Sequence, residues 1–416
     1  MIELGLGRIG RLLAHSILPW RAIHVAGTNG KGSICAYLSA MLQAGNIRCG
    51  RFTSPHLIDR WDCVTIDEKP VSEALFREVE DNVIRRNEKL AVGASQFELL
   101  TATAFEIFTR EKIDIGVVEV GLGGRLDATN ILKDPLVTII SKIGRDHQLF
   151  LGNSIEEIAR EKAGIMKPGV PCVFDSTNDA VVQEVFRLAA TEVEAGPLYP
   201  VPDTAANHER TPWDILSKDR FADHQQVNLA CAHKALVLAL QKAHPDIDPY
   251  ELLPSVANVC WPGRLQSVSI QPLTGRSSSI LLDGAHNAQS AEVLRLHVNK
   301  RLRSKGQNVT WVVALSNGKD VEDIFGSLIE PGDLVAAVAF GPVDGMPWVK
   351  STDPTKLLKH ISANTSHGCT LNAGEDVLAA LKWASDISAN GPLVVAGSLY
   401  LVSDVLRILR SVGTRI

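Results

Sequence analysis

The sequence predicts an α/β protein: an amino-terminal, doubly wound parallel sheet followed by a smaller α/β domain of Rossmann-like build. Three observations predict it. A buried apolar strand, "AIHVAG" (22–27), runs into a glycine-rich turn and then a helix, "SICAYLSAMLQAG" (33–45). Further apolar runs at 113–121, 136–144 and 170–175 alternate with helical periodicity over 72–90, 97–112 and 180–191. Parallel strands need a crossover between them, usually a helix, so this alternation predicts a parallel sheet with helices on both faces. The same rhythm then restarts in the last third of the chain.

Residues 195–222 break the pattern with Pro197, Pro200, Pro202 and Pro212, and predict an excursion or irregular hairpin. A long helix is expected over 226–243. The Trp-Pro-Gly turn in "NVCWPGRLQ" (258–266) marks the domain boundary, giving domains 1–260 and 261–416. Strands at 279–286, 310–317, 334–341 and 392–398 then form the second sheet. At 416 residues two cores are expected.

The bulk numbers exclude several classes. A formal charge of −5 gives no electrostatic reason for a nucleic-acid or anionic-membrane partner. The 7 cysteines are scattered without a C-x-x-C pair, which argues for free thiols in a reducing compartment and against zinc. No eighteen-residue apolar run exists to span a membrane. The first twenty residues mix Arg8 and Arg11 with Glu3 and lack a leader's apolar core and cleavage site. The first strand leaves little room for a mitochondrial leader, so the cytoplasm is expected ahead of the mitochondrion; a monomer is the expected state.

"HVAGTNGKGS" (24–33) is a phosphate loop with altered spacing. Such loops cradle phosphate with backbone N–H groups and a helix N-terminus, while lysine adds a point charge and a hydroxyl takes a magnesium position. Gly27, Thr28, Asn29, Gly30, Lys31, Gly32 and Ser33 supply these parts, so ATP is the expected ligand. The common motif places the hydroxyl directly after lysine; here Gly32 intervenes, which points to a particular subclass.

That subclass is found along the chain. "FTSPHL" (52–57), "FELLTATAF" (97–105), "EVGLGGRLDATN" (119–130), "DH" (146–147), "EKAGI" (161–165), "HQQVNLACA" (224–232), "PGR" (262–264), "DGAHN" (283–287) and "GSLY" (397–400) follow one another in order. Together with the nucleotide loop they resemble the folylpolyglutamate synthase and dihydrofolate synthase family, ATP-dependent relatives of the Mur amide ligases. The opening "MIELGLGRIGRLL" and "SPHLIDRWDCVTID" are most similar to its fungal dihydrofolate synthases.

The resemblance implies an amide ligase that uses ATP, L-glutamate and a dihydropteroate or folate acid. It implies magnesium held by Ser33, Ser54, Glu119 and His147, although histidine is an unusual magnesium ligand. It implies nucleotide contacts from Asn228, Arg264, Asp283 and His286, and catalytic roles for Lys31, Lys162 and His286. With ATP lying between the domains, closure would assemble the site. By periodicity alone Lys162 is a solvated helix residue. In the family the matching lysine is carbamylated, which requires a neutral amine and hence a lowered pKa; a monovalent cation is implied too. The acid would meet Pro55, His56, Phe97 and Asp127, and glutamate would meet Ser398 and His286. By itself Phe97 reads as core, and "DGAHN" as a strand-to-helix turn. A phosphate-loop kinase, a nucleotide-binding paralogue without activity, and a ligase for another aryl acid stay open at this point.

Overall fold

The computed structural model describes residues 4–202, 210–259, 261–303, 306–364 and 369–414. Cys260 of the predicted boundary, and 203–209 of the predicted excursion, lie outside the described residues. The chain forms two compact units: residues 1–56 with 61–259, and 57–60 with 260–416.

The first unit holds β1 (Arg21–Ala26), β2 (Cys49–Phe52), β3 (Val64–Ile66), β4 (Lys69–Pro70), β5 (Ile115–Glu119), β6 (Val137–Ile140), β7 (Cys172–Asp175) and β8 (Leu198–Val201). Its helices are α1 (Gly7–Leu12), α2 (Lys31–Ala44), α3 (Glu73–Lys89), α4 (Gln96–Arg110), a single turn α5 (Gln148–Leu151), α6 (Ile155–Ala163), α7 (Ala180–Glu192) and α8 (Asp223–Ala243). The strand order is β4-β3-β2-β5-β1-β6-β7-β8. β1 is central, hydrogen-bonded in parallel to β5 on one side and β6 on the other.

Alternation along β1 divides the core between two faces. Ile23 and Val25 pack with α2 and α8 through Leu38, Met41, Leu236 and Leu240. Ala22 faces the α1, α3 and α4 side, with Phe76, Phe105 and Phe108. Ala26 meets Ile158 of α6 and Phe186 of α7. Helix starts follow local chemistry: Ser95 with Glu98, and Ser154 with Glu157, form reciprocal capping boxes at α4 and α6.

Two edge features depart from the sequence reading. β3 and β4 form an antiparallel hairpin on β2 where no strands were expected. β8, inside the predicted excursion, adds in parallel to β7. It carries Pro200, which an edge strand tolerates because its outer side needs no ladder donor. The expected strands at 113–121 and 136–144 stop at Glu119 and Ile140, because the residues beyond them turn out to form the loops of the site.

The second unit holds β9 (Gln266–Val268), β10 (Ile280–Leu282), β11 (Thr310–Val313), β12 (Leu334–Ala337), β13 (Thr370–Asn372) and β14 (Leu393–Ala396), in the order β13-β12-β11-β14-β10-β9. All pairs are parallel except the edge pair β9–β10. Residues 57–60 pack into this unit: Arg407 donates to the Ile58 carbonyl at 3.0 Å, and Arg410 pairs with the Asp59 carboxylate. Among the described residues no helix is long and apolar enough to cross a membrane, and the described cysteines are free thiols.

Candidate active site

The nucleotide loop leaves the carboxyl end of the central strand, where doubly wound sheets place their ligands. Its shape depends on β6. The Thr28 and Asn29 amides donate to the Lys142 carbonyl at 2.9 and 3.2 Å. The Thr28 hydroxyl donates to Gly144 O and accepts from Gly144 N, both at 3.0 Å. Ser141 Oγ donates to Asn29 O at 2.7 Å. Thr28 and Asn29, expected as nucleotide contacts, thus commit these groups to holding the loop. Gly27 has φ 143 and lies so close to Ser141 that a Cβ would collide with Oγ. Gly30, at φ 95, starts α2, and no side chain caps that helix. A Cβ there would collide with the amide of Asn228, which is buried on α8. Asn228 and the loop are therefore neighbours.

Charged groups converge behind the loop. Lys31 Nζ lies 3.2 Å from Thr28 O and 3.7 Å from Glu119 Oε1. Glu119 ends β5 and is 5% exposed; its Oε2 accepts the Ser54 amide at 3.3 Å. Lys162, 4% exposed on α6, donates to Gly27 O at 2.8 Å. Burial pushes the Lys162 ammonium down to about 7, assisted by the Lys31 charge and opposed by Asp146, Asp127 and Glu119. The helical pattern called this lysine solvated; tertiary packing buries it.

His147 has φ 55 and a half-exposed ring, with Nε2 4.0 Å from Asp146 Oδ2. Asp146 is the buried member of that pair at 8% side-chain exposure, and the sequence reading did not single it out. No group of three or more His, Cys, Asp or Glu able to hold a metal occurs among the described residues. One carboxylate with the hydroxyls of Ser33 and Ser54 fits magnesium all the same, because Mg²⁺ completes its shell with phosphates and water.

The wall beside this cluster is aromatic and polar. Phe97 lies over Gly121, where a Cβ would strike its ring, and stacks on Phe52 with centroids 6.2 Å apart. Pro55 is half-buried and His56 is buried at 4% exposure. Asp127, expected at the substrate, is 2% exposed, and its carboxylate is engaged within its own loop. It accepts from Leu122 N and Thr129 N at 2.9 Å and from the Thr129 hydroxyl. Burial raises its pKa against these bonds. Thr129 Oγ1 in turn sits 2.9 Å from His24 Nε2. Since the hydroxyl donates to Asp127, Nε2–H donates to the hydroxyl, and His24 Nδ1 is left without a hydrogen-bond partner.

In the second unit the "PGR" and "DGAHN" turns are joined. Gly284 N donates to Gly263 O at 2.8 Å, and Asp283 accepts from Leu265 N and Ala285 N, each at 2.8 Å. Arg264 Nη1 lies against Gly284, so a Cβ there would meet it at 2.5 Å. Burial raises the Asp283 pKa, with the Arg264 charge opposing. His286 Nδ1 is 2.8 Å from Gly284 O, which directs Nε2 away from the turn. These three predicted residues share one strand end. Ser398 is 2% exposed and caps the helix Leu399–Ser411, accepting from Tyr400 N.

Residues 266–408 match the family model described as dihydrofolate synthetase, C-terminal domain. Over 421 residues the chain is 40% identical to the probable dihydrofolate synthetase of Schizosaccharomyces pombe, spanning 98% of this chain and 99% of the relative. The chain belongs to the dihydrofolate synthase and folylpolyglutamate synthase family. Another member, the dihydrofolate synthetase of Saccharomyces cerevisiae, is 37% identical over 430 residues and 99% of both chains. A solved structure of a bifunctional folylpolyglutamate synthase/dihydrofolate synthase with Mn, AMPPNP and L-glutamate bound superposes with a TM-score of 0.78 at 26% identity, covering 99% of this chain and 95% of that one.

Burial holds two histidines of the first unit neutral. His24 is pushed down to about 3 by burial and then by Lys167; His233 is pushed to about 4, chiefly by burial. Below the ordinary histidine pKa the unfolded chain binds protons that the fold does not. Stability therefore falls as pH drops from about 6.5 toward 4, by up to roughly 1.4 kcal/mol per pH unit for each histidine. Urea unfolding at a series of pH values should show this slope, and His24→Asn should flatten it.

Proposed function

We propose that this chain is a dihydrofolate synthase, an ATP-dependent ligase that joins L-glutamate to 7,8-dihydropteroate and releases dihydrofolate, ADP and phosphate. Identity to fungal dihydrofolate synthetases along the whole chain is the observation that carries this reading. The chemistry fits the groups present. A carboxylate is a poor electrophile, so its oxygen first attacks the γ-phosphorus of ATP and expels ADP. The resulting acyl phosphate then loses phosphate when the α-amine of glutamate attacks the carbonyl carbon and sheds a proton.

Catalysis of the first step is positioning and charge neutralisation. Lys31 and the uncapped start of α2 face the phosphates in this reading. Ser33, Ser54, Glu119 and His147 would hold the magnesium, which supplies charge neutralisation at the phosphate oxygens. Asn228 and the Arg264, Asp283 and His286 group serve the nucleotide, and His286 with Ser398 the incoming glutamate. The aryl acid lies along Phe97, beside Pro55, His56 and the loop that Asp127 holds.

A second reading, transfer of glutamate to a folate that already bears one, is favoured by the likeness to the bifunctional enzyme. Enzyme, Mg-ATP and labelled glutamate incubated with dihydropteroate or with tetrahydrofolate monoglutamate separate the two by product mass. The first reading predicts dihydrofolate in the first incubation and no added glutamate in the second. Product only in the second incubation would replace it.

Lys162 extends the proposal. A buried amine with its pKa lowered to about 7 is substantially neutral near that pH, as addition to carbon dioxide requires. The nitrogen bonds to the carbon, a proton leaves, and the product carbamate is an anion suited to supporting a second metal. Native mass spectrometry in bicarbonate should find the carbon dioxide adduct at Lys162. Lys162→Ala should lower kcat by at least about 100-fold. An unmodified lysine together with an unimpaired variant would refute the role.

A further inference from the structure

The aryl-acid wall of the proposed reading is made by two loops far apart in sequence, 92–98 and 121–127. A third segment ties them together. Gly5 N donates to Leu126 O at 3.2 Å, at the second loop. Arg8 Nε donates to both oxygens of Glu98, at 2.9 and 3.2 Å, at the end of the first. Arg11 Nη2 donates to the Val92 carbonyl at 3.0 Å, at its beginning. Between these ties Ile9 and Leu12 are buried in the α3–α4 core, and Leu6, Phe97 and Ile131 pack against it.

Glu98 is the hinge of this arrangement. It is 3% exposed, and the same Oε2 that accepts from Arg8 accepts the Ser95 amide at 2.6 Å, closing the capping box at the start of α4. Phe97 stands between Ser95 and Glu98 in that first helical turn. Its ring covers Gly121 at the foot of the second loop. The position of Phe97 over Gly121 is thus set from both sides by residues 5–11.

We infer that residues Gly5–Arg11 form a strap that sets the separation of the two loops, with Arg8 and Arg11 as positioning residues for the flat aryl acid. The inference rests on the reading that these loops hold that acid. A slot for a planar heterocycle depends on wall spacing, since stacking and dispersion contacts weaken within an ångström of separation. Loosening the strap should therefore weaken capture of the acid and leave the ATP and glutamate sites intact.

The test is steady-state kinetics of the full chain with dihydropteroate, ATP and glutamate varied in turn. Arg8→Gln should raise KM for dihydropteroate about tenfold and Arg11→Met about threefold, with KM for ATP and glutamate within about twofold of the parent. Arg8→Lys should recover part of the loss by restoring a donor to Glu98. Arg11 is exposed, so Arg11→Met keeps the test open if Arg8→Gln folds poorly. Uniform loss of kcat for all substrates, or unchanged KM for the acid in both variants, would overturn the strap. Failure of the parent enzyme to accept dihydropteroate would instead overturn the proposed function, and the two failures are distinct.

Discussion

The glycine-rich loop after β1 depends on one close approach: the backbone at Gly27 running against Ser141 just past the end of β6. β1 is fixed in the middle of the sheet by parallel ladders on both sides, so its carboxyl end has little freedom. The loop that follows must turn at once, and the Lys142 carbonyl, the Ser141 hydroxyl and Gly144 capture it there. That turn aims the start of α2 outward, brings Lys31 beside Glu119, and exposes the Gly27 carbonyl to Lys162. A side chain at Gly27 would collide with the Ser141 hydroxyl that holds the Asn29 carbonyl.

The same packing stores unfavourable electrostatics. Two lysines and the carboxylates of Glu119, Asp127 and Asp146 interact within a small, largely buried volume; burial, helped by the Lys31 charge, loosens the hold of Lys162 on its proton against the pull of the carboxylates. A fold selected for stability alone would put apolar side chains there. Such a desolvated cluster acts strongly on any charged group brought against it once water is displaced. The His24–Thr129–Asp127 chain has the opposite character: it is neutral at the histidine end and committed to loop geometry. It fixes the turn after β5 without offering its carboxylate to solvent.

Motifs that one stretch of chain carries alone could be read from the sequence. The strand–loop–helix of residues 22–45 shows itself by an apolar run, glycines and Lys31. Glu119 stands at the end of an apolar run, and only the resemblance singled it out from an ordinary strand-end carboxylate. Residues whose part depends on a distant partner could not be read this way. Ser141 is an ordinary serine until Gly27 approaches it, and Asp146 gains its meaning from Lys162. Arg8 entered the sequence reading only as a charge near the start of the chain, because Glu98, 90 positions away, has no sequence sign of pairing with it. Lys162 was misread by periodicity for the same reason, since helical pattern reports the local face and not what covers it. Asp127 was expected at the substrate through resemblance and Thr28 at the nucleotide through its motif; their hydrogen bonds to Leu122 and Gly144 are a further part that no local pattern announces. The β3–β4 hairpin and β8 were missed because short edge strands lack the long apolar run that marks a central one.

The central chemical claim is that the acid's own carboxylate attacks ATP before the amine of glutamate attacks the acid. Dihydropteroate carrying a heavy-oxygen label in its carboxylate tests this most directly, with the released phosphate analysed by mass after complete turnover. The account predicts one labelled oxygen passed to each phosphate formed. Phosphate whose fourth oxygen comes from solvent, while dihydrofolate is made at the normal rate, would contradict it.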